Sequence, residues 1–522
     1  MPGTHINVLQ ELIGPYTDVE HSNAEANSSL EELGLDSIAA VQLAKELLLR
    51  LQLQIHPDEL FKISSSTLTE YVQKSPPALA EPPVTTPDKV NISSASLSTP
   101  PPTSNPTTVS SSIAQGTLKA RRIPVERVSE TPSIAATEIQ QLPPESLPPS
   151  LPFDPLQVLA QSDSIYEAVS QRSGFAGYWD NVSPLQNDLL LAYINEAFIT
   201  LGVNLSEQPQ GVEIPAIPCI PKYNRLMKRL LDILETRYIV RQNGGKVLRG
   251  SDPIGVDTSS RLCEQFRTQH PAFECEAKLM NLIGPRLAEC LSGKLDPLSV
   301  LFGSAASRQI MDDFYRSAPI IAAHAEQLVL FLVNLVQWMA AISSTSVRIL
   351  EVGGGTGGTT TPLIAALEGA KVPVKYTFTD VGASFVNKAK AKWGRNQWME
   401  FSVLDIEEEL TECFHGQYDI VLGVNVVHAT RDRTATSRRL REALRPGGVL
   451  VLSELTRPID WYDICFGLLD GWWLADGGKG YAIQPASIWM DAFETAGFKG
   501  TGHSHGNSEE ANTQQILVAC TC

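Results

Sequence analysis

Positive charge is scarce in this sequence: 41 Lys and Arg stand against 58 Asp and Glu, a formal net charge of -17. Such a chain offers no broad basic face, which argues against nucleic acid or an anionic membrane as its main partner. Long apolar runs are also lacking. No window holds the about 20 uninterrupted apolar residues of a membrane span. The most apolar stretch, residues 322–342, is broken by His324, Glu326, Asn334 and Gln337 and reads as a buried helix. The opening MPGTHINVLQELIG has no basic start, apolar run or cleavage site of a secretory leader. The eight cysteines show no paired metal-ligand spacing. Reduced thiols in the cytoplasm are expected, with neither a disulfide framework nor a metal centre.

What the sequence does have is uneven texture. Its 522 residues exceed one compact core, so roughly two to four domains are expected. Residues 1–76 read as a small helical domain. Residues 77–150 are dominated by Pro, Ser and Thr, as in STPPPTSNPTTVSSS and LPPESLPPSLP. They cannot bury enough apolar surface to offset chain entropy and read as a tether. Residues 151–345 show helical spacing in NDLLLAYINEAFITLG, YNRLMKRLLDILETRYIV and AHAEQLVLFLVNLVQWMAAI. The following IVRQNGGKVLRG suggests a hairpin appended to a helix, as in winged-helix folds. Residues 346–522 alternate strand, glycine turn and helix, the pattern of an α/β parallel sheet with crossover helices.

The strongest motif is VRILEVGGGTGGTTTPLIAAL. Val347–Val352 is a short β-branched strand, Gly353, Gly354 and Gly355 form the turn with Gly357 and Gly358, and a helix follows. A glycine turn alone could hold a dinucleotide or merely turn a corner. Three carboxylates narrow the choice. Glu351, at the end of the first strand, suits a ligand bearing an ammonium group. Asp380, closing YTFTDV, is placed for a ribose diol. Asp405, after MEFSV, is placed for an adenine amino group. Asn425 closes the fourth strand, YDIVLGVN, and is grouped with these cofactor residues. Together they resemble the class I methyltransferase family. The resemblance implies a Rossmann-like, seven-stranded doubly wound sheet, S-adenosylmethionine as cofactor, LRPGGVLVLSEL as fifth strand, and a final hairpin near GFKGTGHSHG and QQILVACT.

His428 falls just past the fourth strand, and Glu454 ends the fifth. A carboxylate orienting an imidazole is the arrangement a general base needs. NVVHAT and LRPGGVLVLSELT, with LFGSAASRQIMDDFYRSAP and FAGYWDNVSPLQNDLLLAYINEAF upstream, are similar to the C-methyltransferase domains of fungal polyketide synthases. In that family a His–Glu dyad deprotonates the carbon between a ketone and a thioester, and His428 and Glu454 match those roles. The helical region 151–345 is then expected to cover the site as a lid and shape an acyl pocket, with Tyr315 lining it.

Leu35-Asp36-Ser37 precedes an amphipathic helix. Taken alone, Asp-Ser there is a helix cap. LGLDSIAAVQL, however, resembles the acyl carrier protein signature, in which the serine bears 4'-phosphopantetheine. INVLQELI, DSIAAVQLAKELLLRLQ, HPDELFKI and TLTEYVQ fit the carrier's four helices. Carrier, tether and C-methyltransferase in this order are similar to the C-terminal half of fungal non-reducing polyketide synthases, and the chain is expected to be a piece of such a megasynthase. The resemblance implies a carrier in cis, delivering a polyketide intermediate, and other synthase domains as partners. Two rival readings are methylation of oxygen or nitrogen on a diffusible metabolite, and a degenerate methyltransferase kept as a scaffold. The adjacent carrier argues against the first, and the intact glycine turn, carboxylates and dyad against the second. Ser37→Ala should abolish acyl loading, as read by mass spectrometry, while the C-terminal domain still methylates a free pantetheine thioester. Loading that survived would disprove the carrier assignment.

Overall fold

The computed structural model describes residues 154–521 except Val256, Ser343, Ser344 and Lys479, with isolated positions between Leu30 and Leu68. Ser37, most of the expected carrier and the tether lie outside the described residues.

Residues 155–342 are mainly helical. The three amphipathic stretches become the helices Ser183–Thr200, Asn224–Thr236 and Pro319–Ile342. Pro184 sits in the first turn of the first, where its missing N–H costs nothing. The Asn-Gly-Gly signal becomes an antiparallel hairpin of β1 (Val240–Asn243) and β2 (Lys246–Arg249), with Asn243 opposite Lys246. The helix Pro319–Ile342 is long and apolar enough to cross a membrane by length and composition. Its Leu328, Phe331, Leu332 and Leu335 are fully buried in one cluster with Val347 and Ile349 of the sheet.

The sheet comprises β3 (Val347–Val352), β4 (Val374–Asp380), β5 (Met399–Val403), β6 (Tyr418–Val424), β7 (Leu444–Leu455), β8 (Gly500–His503) and β9 (Gln514–Cys520). Their order is β5-β4-β3-β6-β7-β9-β8. β3 to β7 run parallel, and β9 joins antiparallel to both β7 and β8. The order reverses direction between β3 and β6. This is the switch point where the strands' C-terminal ends open a crevice. Buried on both faces, the inner strands read as almost continuous apolar runs.

Apolar clusters cover both sheet faces. One includes Ile349, Leu363 and Phe378, and the other Leu350, Val352, Trp489 and Phe493. A third fills the helical region. Leu455, which ends the fifth parallel strand, and Ile459, Trp461, Tyr462, Phe466, Trp472 and Ile483, which follow it, belong to it. The segment after β7 therefore packs with the helical layer and joins it to the sheet.

Candidate active site

The glycine turn leaves β3 at the switch point. Gly353 adopts φ 62 and Gly355 φ 54, values that favour glycine. A Cβ on Gly353 would lie 2.2 Å from Val426 Cγ2, and one on Gly354 would lie 2.2 Å from the Phe378 ring. At Gly355 it would meet open space. The turn is held in place from β4: Asp380 Oδ2 accepts from the Gly355 amide at 2.9 Å and Oδ1 from the Gly382 amide at 2.7 Å. Burial raises the Asp380 carboxyl above its ordinary value, and those amides pull it back.

Glu351 is buried, 3% exposed. Thr360 Oγ1 lies 2.9 Å from each of its oxygens, and the Tyr376 hydroxyl donates to Oε2 at 2.8 Å. Burial pushes its carboxyl up to about 7, against the pull of those hydroxyls. Asp405 differs. It lies exposed two residues past β5, and its Oδ1 accepts from the Glu407 amide at 2.8 Å. Asn425 ends β6 with φ 49, and its side-chain oxygen is buried without a hydrogen-bond partner.

His428 sits in the short turn Val427–Ala429. Its Nδ1 lies 2.7 Å from Glu454 Oε2. Glu454 is fully buried, and its Oε1 accepts from the Val426 and Val427 amides at 3.1 and 2.8 Å. With Nδ1 donating to the carboxylate, the lone pair resides on Nε2, and the ring is 15% exposed. β6 and β7 are paired neighbours, Val424 opposite Ser453, which brings the two residues together.

Tyr315, 39% exposed, lies on the helix Ala305–Ser317. Its carbonyl oxygen would be 3.0 Å from a Cβ on Gly358, so this helix crosses the glycine turn. From Tyr315 a chain of rings runs to the dyad: Tyr315 to Phe466 at 6.4 Å, Phe466 to Trp472 at 5.8 Å, and Trp472 to His428 at 6.1 Å. Phe466, Trp472, Thr360 and Tyr376 escaped the sequence reading. Only Tyr376 had a usable signal, standing on β4 four residues before Asp380.

This geometry has close relatives. The solved structure of the citrinin polyketide synthase CMeT domain is 32% identical with a TM-score of 0.67, covering 70% of this chain and 96% of that one. This chain belongs to the polyketide synthase C-methyltransferase family. The DszA carbon methyltransferase structure is 26% identical, with a TM-score of 0.61, over 71% of this chain and 97% of that one. The non-reducing polyketide synthase atr1 of Stereocaulon alpinum is 36% identical over 98% of this chain, which spans a fifth of that protein's length. Family profiles described as "Methyltransferase, Helix-turn-helix domain", "Methyltransferase domain" and "Phosphopantetheine attachment site" match residues 160–247, 350–450 and 7–73. The helix Asn224–Thr236 and β1 of the unit read as winged-helix fall within the first, which ends inside β2.

A C-methyltransferase domain of this family takes S-adenosylmethionine, and the attachment region takes 4'-phosphopantetheine. The crevice fits the former. It offers the orphaned Asn425 oxygen, open space over Gly355, and carboxyl groups of both buried and exposed character.

Glu351 generates a pH test. Its folded value, about 7, lies above the 4.5 of an ordinary glutamate. The stability it contributes is therefore complete below about pH 4.5 and is lost as pH rises through about 7. Denaturant unfolding at about pH 5 and about pH 8 should show the wild type losing stability relative to Glu351→Gln, which cannot titrate. A difference independent of pH would return this carboxyl to its ordinary value.

Proposed function

We propose that this C-methyltransferase domain methylates the α-carbon of a β-ketoacyl thioester presented by the carrier in cis, with His428 as general base. We divide the chain accordingly into a carrier (1–76) with 4'-phosphopantetheine on Ser37, a tether (77–150), a lid subdomain (151–345) and a cofactor-binding core (346–522). The setting is the cytoplasm, and the partners are the other domains of a polyketide synthase. The observation that carries the reading is the 2.7 Å contact of His428 Nδ1 with the fully buried Glu454, beside the glycine turn.

When bound, S-adenosylmethionine supplies an electrophilic methyl group. Glu351, Gly353, Gly354, Gly355, Asp380, Asp405 and Asn425 are the residues we assign to holding it. His428 Nε2 takes the α-proton, and the electron pair of the broken C–H bond delocalises onto the flanking carbonyl oxygens. That pair would form the new C–CH3 bond as the S–CH3 bond of the bound cofactor broke, its electrons staying on sulfur to leave a neutral thioether. Glu454 fixes the tautomer that leaves Nε2 free, and its charge offsets the imidazolium that forms. The ring wall of Tyr315, Phe466 and Trp472 keeps water from the carbanionic carbon. No protein metal is called for, because two carbonyls already acidify the α-carbon.

His428→Ala should lower turnover on a β-ketoacyl pantetheine thioester by roughly 10²–10⁴ while calorimetric affinity for the cofactor stays unchanged. Glu454→Gln should lose less, and the double variant should be little worse than His428→Ala alone. Exchange of the substrate's α-proton for deuterium, with the demethylated cofactor bound, should occur in the wild type and vanish in His428→Ala. Exchange persisting in that variant would remove His428 from the proton transfer.

A further inference from the structure

Asp463 takes no part in that chemistry, yet it is fully buried and its carboxylate is saturated with donors. Oδ1 accepts from Trp472 Nε1 at 3.1 Å and from the Tyr481 hydroxyl at 2.8 Å, and Oδ2 accepts from Arg229 Nε at 2.9 Å. Arg229 lies on the helix Asn224–Thr236 of the helical layer and also donates to Asp460 Oδ1 at 2.8 Å. One turn earlier, Arg225 donates to the carbonyls of Trp473 and Gly480 and stacks 5.0 Å from the Trp473 ring. The segment between Asp460 and Tyr481 is thus clamped to one helix, and it presents Trp472 to the dyad. The indole meets the His428 ring nearly edge to face, at 77°.

Glu454 constrains His428 only through Nδ1, about which an imidazole can still swivel. A second contact is needed to hold Nε2 in one direction. An indole restrained only by packing could slide, whereas one whose N–H is bonded to a buried carboxylate has a fixed orientation. Burial raises the Asp463 carboxyl above its ordinary value, and Arg229 and the Tyr481 hydroxyl pull it back. Apolar side chains of similar volume would serve stability as well as such a buried ion pair does. What the carboxylate adds is direction for the N–H of Trp472.

We propose that Asp463 and Trp472 are positioning residues for the catalytic base: Asp463 fixes the indole, and the indole holds the His428 ring through their edge-to-face contact. This rests on the reading of His428 as the base. It makes the helical layer, through Arg229, a participant in aiming the proton transfer.

The test is turnover of the full chain on a β-ketoacyl pantetheine thioester, with cofactor affinity measured alongside. Trp472→Phe keeps a ring but loses the N–H, and Asp463→Ala loses the acceptor. Each should lower kcat about 10-fold, the scale of one buried hydrogen bond, with cofactor affinity unchanged. Asp463→Asn, whose amide oxygen still accepts the indole proton, should recover most of the loss. In the His428→Ala background, Trp472→Phe should have no further effect, because its contribution passes through His428. An equal slowing in that background, or a rise in KM at unchanged kcat, would overturn the proposal. Full turnover by His428→Ala itself would instead strike the base assignment. Where the residual rate is too slow to compare, NMR of the His428 ring protons decides. In Asp463→Ala, which keeps the indole but frees it, the His428 ring-proton signals should move or broaden, and signals unchanged from the wild type refute the positioning role.

Discussion

A carboxylate with no exposed surface governs the C-terminal end of the parallel strands. Burying such a charge costs several kcal/mol unless its lone pairs are filled. Glu454 fills them with the amides of Val426 and Val427 and with His428 Nδ1. For two consecutive amides to reach one oxygen, the chain must leave β6 abruptly. Asn425 makes that departure in the left-handed region, its own amide donating to the Ser453 carbonyl at 2.9 Å. The backbone conformation of Asn425, the pairing of Val424 with Ser453 and the placement of His428 all follow from satisfying one buried acid.

Glu351, one strand over, solves a similar problem with different donors and a different result. Hydroxyls from Thr360 and Tyr376 serve it, and burial still prevails enough to push it up to about 7. Its bonds tie the start of the helix Thr360–Ala370 to β4, as the Thr379 hydroxyl ties β4 to the Glu351 carbonyl at 2.7 Å. With Asp380 gripping the Gly355 amide, the turn is held by the protein's own groups. Preorganisation of this kind spares a ligand the cost of ordering the loop. The two acids therefore divide the crevice, Glu351 bracing the strand and helix on either side of the glycine turn and Glu454 the His428 ring.

Strands, glycine turn and dyad were legible in the sequence because each leaves a local mark. A parallel strand is a short apolar run, and the functional residue follows it by a fixed step. That logic located Glu351, Asp380, Asn425, His428 and Glu454 at the strand ends. It also led to Asp405, which the structure leaves exposed and bonded to the Glu407 amide. It could not reach contacts without a local mark. Arg229 and Asp463 are 234 residues apart, and neither neighbourhood announces the other. The segment 455–483 reads as a continuation of the α/β alternation, yet its aromatic side chains pack into the helical core. Trp472 stayed hidden for the same reason: in sequence it belongs to the sheet domain, whereas its packing belongs to the helical layer.

That double membership bears on the carbanion chemistry we propose for this sheet end. A strand-end crevice presents a base and a glycine turn to water, and water would quench the carbon nucleophile. The helical layer supplies the missing wall. Tyr315 comes from a helix before the sheet and Phe466 and Trp472 from a segment after β7, and they meet in one chain of rings ending on His428. Because the segment is clamped to the helix Asn224–Thr236 by Arg225 and Arg229, a shift of the helical layer would carry Trp472 with it. The wall we assign to the acyl pocket and the ring contact with His428 are thus one mechanical unit. On the function we propose, a substitution that enlarges the pocket by moving this wall also alters the direction of Nε2, so substrate scope and proton-transfer efficiency are coupled.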